Sequence, residues 1–136
     1  MQKNTHEARD AALDEIKTAL RAGGYFCEDK VPDESPFGDY KVRLAARHSK
    51  HQKRIAIGFQ YQETKGTAEE KIAHHLVCLG HVAARGQYRK VFLVWGGENW
   101  KNSPTNAAYD LHIVNARRVT IIGMPAFCAD ARAGRL

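Results

Sequence analysis

The stretch "IAIGFQYQETKGTAEEKI", residues 55–72, decides the fold. Its first half puts apolar side chains at every second position: Ile55, Ile57, Phe59 and Tyr61. A period of two is a strand with one core face. The other face carries Ala56, Gly58, Gln60 and Gln62, so two amides line up just before the strand stops. The second half opens a helix over 65–86. Thr67 followed three residues later by Glu70 is a capping box. Ile72, Leu76, Leu79 and Val82 or Ala83 then recur at helical spacing, and Gly86 ends the run.

Upstream, "DYKVRLAAR" (39–47) alternates too, with Tyr40, Val42, Leu44 and Ala46 on one face. A short polar tract separates it from the strand at 54–62, which predicts a β-hairpin. Residues 6–22, "HEARDAALDEIKTALRA", carry Ala12, Leu13, Ile16, Ala19 and Leu20 at helical spacing; Thr5 can cap them and Gly23-Gly24 stops them. Residues 25–38 hold two prolines and several acids and read as irregular, with room for a short strand at their start. Downstream, "KVFLVWGG" (90–97) contains a continuous apolar run, the mark of a central strand buried on both sides. Residues 107–117 predict a short helix, 118–124 a last strand, and the remainder a tail that can hold a short helix. The order αββαβαβ predicts one α/β domain over 1–136, a mixed β-sheet flanked by helices.

At 136 residues, 43% hydrophobic and 26% charged, the chain has an ordinary globular composition and length for one core. No apolar run is long enough to span a bilayer, and the N-terminal residues mix acids and bases, unlike a targeting segment. The expectation is a soluble cytoplasmic protein with no membrane partner. Cys27, Cys78 and Cys128 lie far apart without a CxxC, which predicts free thiols in a reducing compartment. A net charge of +6 favours polyanions as partners. "RHSKHQKR" (47–54) concentrates Arg47, Lys50, Lys53 and Arg54 with no acid among them. His74, His75, Cys78 and His81 share a helix, but zinc needs further ligands from elsewhere in the chain, so satisfied or exposed histidines are the better account. The sequence holds no P-loop, GxGxxG or GxSxG.

With the hairpin tip near residues 50 and 51, Asp39 falls opposite Gln62, with Gln60 one diagonal step away. A slip of two residues sets Asp39 against Gln60 instead. Either way a carboxylate and two amide oxygens converge beside Gly58, which leaves open space. Oxygen donors suit a hard ion such as Mg²⁺. A plain Asp–Gln pair on an exposed sheet face is the alternative.

The passage "FQYQETKGTAEEKI" resembles the PD-(D/E)XK nuclease superfamily, the restriction-endonuclease-like fold. Tyr61-Gln62 followed by "GTAEEK" (66–71) is similar to a local pattern of some restriction and homing endonucleases, and "VFLVWGGENW" (91–100) to the strand and GG-x-x-W stretch that follows there. The resemblance covers roughly residues 6–124. It implies a hairpin whose first strand brings an Asp and whose second brings (D/E)xK. Here the acid falls on Gly58 and the lysine on Gln60, leaving Gln60-x-Gln62, a variant found in some homing endonucleases of the superfamily. Asp39 is the favoured first acid, because it sits in register; Asp33, in a literal Pro32-Asp33, is the other candidate. The glutamate that the superfamily often adds from its first helix falls on Glu15 or Glu7, with Glu15 flanking the apolar face.

The resemblance thus implies an endonuclease of restriction or homing type that hydrolyses phosphodiesters in double-stranded DNA with Mg²⁺ or Mn²⁺. Asp39 would anchor the metal, with the Gln60 oxygen holding metal or its water. Gln62 would orient the attacking water. Arg47, Lys50, Lys53, Arg54 and Lys65 would meet phosphates. One small site cuts one strand, so a homodimer or larger homo-oligomer is expected. The Gly58 and Gln60 departures motivate a second reading, a nuclease-fold protein that binds DNA without cutting it. A third is a small α/β protein–protein module whose basic hairpin meets an acidic partner.

Overall fold

The chain is described by a computed structural model over residues 5–62, 68–98, 100, 103, 104 and 118–136. Helix α1 (Thr5–Ala22) is followed by strands β1 (Tyr25–Ser35), β2 (Gly38–His48) and β3 (Ile55–Gln62). Helix α2 (Ala68–Ala84), strands β4 (Lys90–Gly97) and β5 (Thr120–Gly123) and helix α3 (Met124–Arg132) complete it. The five strands form one sheet in the order β1-β2-β3-β4-β5. The first two pairings are antiparallel and the last two parallel. The expected mixed α/β sheet with flanking helices is therefore present. No helix among the described residues is long and apolar enough to cross a membrane.

Residues 25–35 correct the expectation of an irregular segment: they are a full strand, paired from Tyr25↔His48 to Ser35↔Gly38. As an edge strand, β1 accommodates Pro32, whose missing N–H is not needed by a second neighbour. Its acids Glu28, Asp29 and Glu34 are exposed, so they obscure the strand pattern without opposing it. The tail likewise contains a complete helix, α3. Three elements of the sequence reading lie outside the described residues: the Thr67 cap, Lys65 and the helix expected at 107–117.

Two cores sandwich the sheet. On one side Leu13, Ile16 and Leu20 of α1 and Phe127 of α3 meet Ile55, Ile57 and Phe59 of β3. On the other, Ile72, Leu76, Leu79 and Val82 of α2 meet Ala56 of β3 and Leu93 of β4. Each fully buried side chain of this size contributes about 1.5–3 kcal/mol. β4 sends Phe92 and Val94 to the first core and Val91 and Leu93 to the second, as its continuous apolar run requires.

The pleat of β2 changes phase partway along. Leu44 and Ala46 face α1, whereas Val42 and Tyr40, also even-numbered, pack toward α2. The change falls where Lys30 of β1 takes a left-handed backbone, φ 49°, between the pairs Asp29↔Leu44 and Val31↔Val42. The outer half of the β1–β2 hairpin therefore turns over α2. Arg85 of α2 donates to Asp33, and Phe37 stacks on His74 with ring centroids 5.6 Å apart.

Candidate active site

The register of β2 against β3 runs from Leu44↔Ile57 to Ala46↔Ile55, as the hairpin arithmetic predicts. The described pairing ends there. Asp39 pairs with Glu34 across the β1–β2 ladder instead and is exposed. Tyr40 packs toward α2, so alternation turns Asp39 to the opposite face. Gln60 faces α2. The expected convergence of Asp39 with Gln60 and Gln62 is thus not what the hairpin makes. The cause is the phase change in β2, not a slip of register.

Asp33 lies across from Tyr40, on the α2 side. There it is committed to Arg85, which also approaches Glu34 at 3.8 Å. Burial, reinforced by the charges of Cys78 and Asp33, pushes the Tyr40 hydroxyl up to about 12.

The two glutamines are held differently. Gln62 is 2% exposed, and its Nε2 donates to the Glu98 carbonyl at 3.3 Å. The Glu98 N–H donates back to the Gln62 carbonyl at 2.8 Å. This wrap needs Gly97, φ 92°, because a Cβ there would lie 1.8 Å from the Gln62 carbonyl oxygen. Gln60 Oε1 meets His75 Nε2 at 2.8 Å. Burial lowers the His75 pKa to about 4, helped by the nearby charges of His74 and Lys71, so the ring is neutral at pH 7. Among the described residues its Nδ1 is buried without a hydrogen-bond partner. A buried orphan N–H is rarer than a buried orphan acceptor, which assigns the proton to Nε2. His75 therefore donates to the Gln60 oxygen. Among the described residues the Gln60 NH₂ reaches the Tyr61 carbonyl at 3.5 Å, the far limit of a hydrogen bond.

The open space expected beside Gly58 is filled. A Cβ at this position would lie 2.6 Å from Leu79 Cδ1. The donor set expected for Mg²⁺ does not fit as it stands: Asp39 faces away, and the Gln60 oxygen is taken by His75. Among the described residues no group of three or more His, Cys, Asp or Glu gathers as a metal site. His74 Nε2 lies 3.6 Å from Cys78 Sγ, and burial pushes the Cys78 thiol pKa up, which disfavours the thiolate a metal would need.

Glu15 lies on the other side of the sheet, with Glu7 two turns earlier in the same helix. Glu15 lines a cleft of about 720 Å³ between α1, α3 and the ends of β3 and β4. Tyr61, Trp95, Glu98 and Arg132 line it too. Burial pushes the Cys128 thiol up; Glu15 acts in the same direction and Arg132 against it, so both charges stand close to this wall. Sequence reasoning missed Trp95, Glu98 and Arg132. The one sequence signal for Trp95 and Glu98 is "WGGE" (95–98), an aromatic and an acid flanking two glycines at a strand's end, and Arg132 carries none.

The basic turn lies at the opposite end of the strands. Arg47, Lys50 and Lys53 are exposed. Lys53 Nζ donates to the Gly86 carbonyl at 3.0 Å. Arg54 pairs with Glu28 at 3.2 Å and lies over the Tyr88 ring, 5.4 Å from its centroid. The pKa of His51 is lowered by desolvation and, more tellingly for an exposed ring, by the positive charges of Arg89, Lys50 and Lys90. Exposed Lys90, at the start of β4, thus lies close to the β2–β3 turn, while the half-buried Arg89 donates to the Leu136 carbonyl at 2.9 Å.

No protein-family model matches the chain, and no curated protein matches it. Among solved structures, one described as a protein of unknown function, AF1548, is similar at a TM-score of 0.48 and 8% identity. The likeness covers 82% of this chain and 57% of that one, so the chain spans a little over half its length.

Proposed function

We propose that this chain acts on double-stranded DNA, which it binds through the basic turn at the amino ends of β3 and β4. The observation that carries the reading is the exposed cluster of Arg47, Lys50 and Lys53 in the β2–β3 turn, with the exposed Lys90 at the start of β4 close enough to act with Lys50 on His51. With a net charge of +6, phosphates are the natural counterpart. The PD-(D/E)XK resemblance points the same way. Cys27, Cys78 and Cys128 are free thiols, in keeping with a cytoplasmic setting.

A second, more specific reading is an endonuclease of that superfamily, cutting duplex DNA as a homo-oligomer. The Gln60 amide favours it. With its oxygen held by His75, Gln60 offers an NH₂ at the position of the superfamily's lysine. A donor there can meet a phosphate oxygen.

Supercoiled plasmid and phage DNA, incubated with Mg²⁺ and with Mn²⁺, test both readings beside gel shifts on the same DNA. Discrete products that vanish in Gln60→Ala while binding persists establish the endonuclease. Binding without products leaves a DNA-binding protein. Negligible binding at low salt overturns both and favours a protein–protein module.

A further inference from the structure

Two large apolar side chains are exposed among the described residues. Phe37 stacks on His74. Phe26 is 70% exposed and lies near the start of β1, at the edge of the sheet, directly opposite Arg47 in the antiparallel ladder. Tyr25 enters the core on the α1 side, so alternation turns Phe26 to the other face. Ala46 faces α1 too, which sets Arg47 on the same face as Phe26. Directly opposed side chains lie about 4.5–5.5 Å apart at Cβ. The Phe26 ring thus borders the basic turn.

The open charges beside it are of one sign. Arg47, Lys50 and Lys53 are exposed. Glu28, two residues along β1 on the Phe26 face, is paired with Arg54 at 3.2 Å. Asp29 belongs to the opposite face, where Lys17 meets it at 2.9 Å.

We propose that Phe26 stacks on an unpaired base of the DNA held by the basic turn, so that this face prefers a duplex carrying a single-stranded extension. The proposal rests on the DNA reading above and adds the form of DNA. Cations beside an aromatic ring are what a single strand requires: the cations meet its phosphates and the ring meets a base. Inside a duplex each base face is covered by its neighbours, so only an unpaired base can present one. A protein partner fits this patch less well. One aromatic side chain buries about 150–250 Å², against roughly 800 Å² per partner in a stable interface. Stacking needs a single ring.

Three forms of one duplex test the proposal: blunt, with a short deoxyadenosine overhang, and with an abasic overhang of the same length. The two overhangs carry equal phosphate charge, so the ratio of their affinities isolates the bases. Fluorescence anisotropy, with divalent metal omitted, gives the affinities. In the wild type the base-bearing overhang is expected to bind about tenfold tighter than the abasic one. The ratio is expected to fall to near one in Phe26→Ala and to persist in Phe26→Tyr, which keeps a flat ring. The exposure of Phe26 leaves the core intact in both variants. A ratio near one in the wild type overturns the proposal, as does a ratio that survives in Phe26→Ala. Blunt-duplex binding without a base effect sinks the Phe26 proposal alone. A base effect without blunt-duplex binding sinks the duplex reading and leaves Phe26.

Discussion

His75 shows how one hydrogen bond decides what a neighbouring residue can do. Its ring is held neutral by burial, and its Nε2–H takes the Gln60 oxygen at 2.8 Å. Gln60 is thereby turned from a possible oxygen ligand into a donor. The same burial has a consequence for stability. The His75 pKa is lowered from 6.5 to about 4 in the folded state, so between these values the unfolded chain binds the extra proton. Stability contributed by neutral His75 is complete above about pH 6.5 and is lost as pH falls toward 4. The loss is on the order of 3 kcal/mol. Urea midpoints measured from pH 7 to pH 4 should fall more steeply in the wild type than in His75→Gln; parallel curves would contradict the assignment. The sequence placed His75 on a histidine-rich helix as a satisfied or exposed residue. Its partner was not legible, because only the packing of α2 on β3 brings residues 60 and 75 together.

At the scale of elements, alternation was enough to pair the hairpin. Leu44 lies opposite Ile57 because both strands carry a period of two. Two things were not legible. The acids and the single proline of β1 masked an edge strand, whose outer face need not be apolar. The change of pleat at Lys30 leaves no periodic mark in β2, yet it turns Asp39 away from the amides. Packing between β3 and α2 also decides whether position 58 could hold the acid that the PD-(D/E)XK resemblance would put there. Leu79 occupies the space above Gly58, so Gly58→Glu does not rebuild a site. It forces a carboxylate between sheet and helix, with an expected cost of at least ~3 kcal/mol. A clear drop in Tm, with no gain of cleavage, is the expected result. An unchanged Tm would mean that α2 yields readily at this point.

Across the whole molecule, the basic turn and the carboxyl-end cleft are separated by the length of β3. Eight residues at about 3.3 Å each set them roughly 25 Å apart. The charge excess was readable from composition, and the position of its densest part from "RHSKHQKR". The contribution of Lys90 was not, since β4 joins the turn only through the parallel crossover. The cleft was beyond sequence reasoning for the same reason: α1, β3, β4 and α3 supply its walls from distant parts of the chain.

The most direct measurement is the salt dependence of duplex binding, wild type beside Arg47→Ala and Lys50→Ala. Phosphate contacts make log affinity fall linearly with log salt, and each lost contact reduces the slope by about 1. A steep slope is expected in the wild type and a shallower one in each variant. Duplex affinity that is insensitive to salt, or slopes unchanged in both variants, would contradict it.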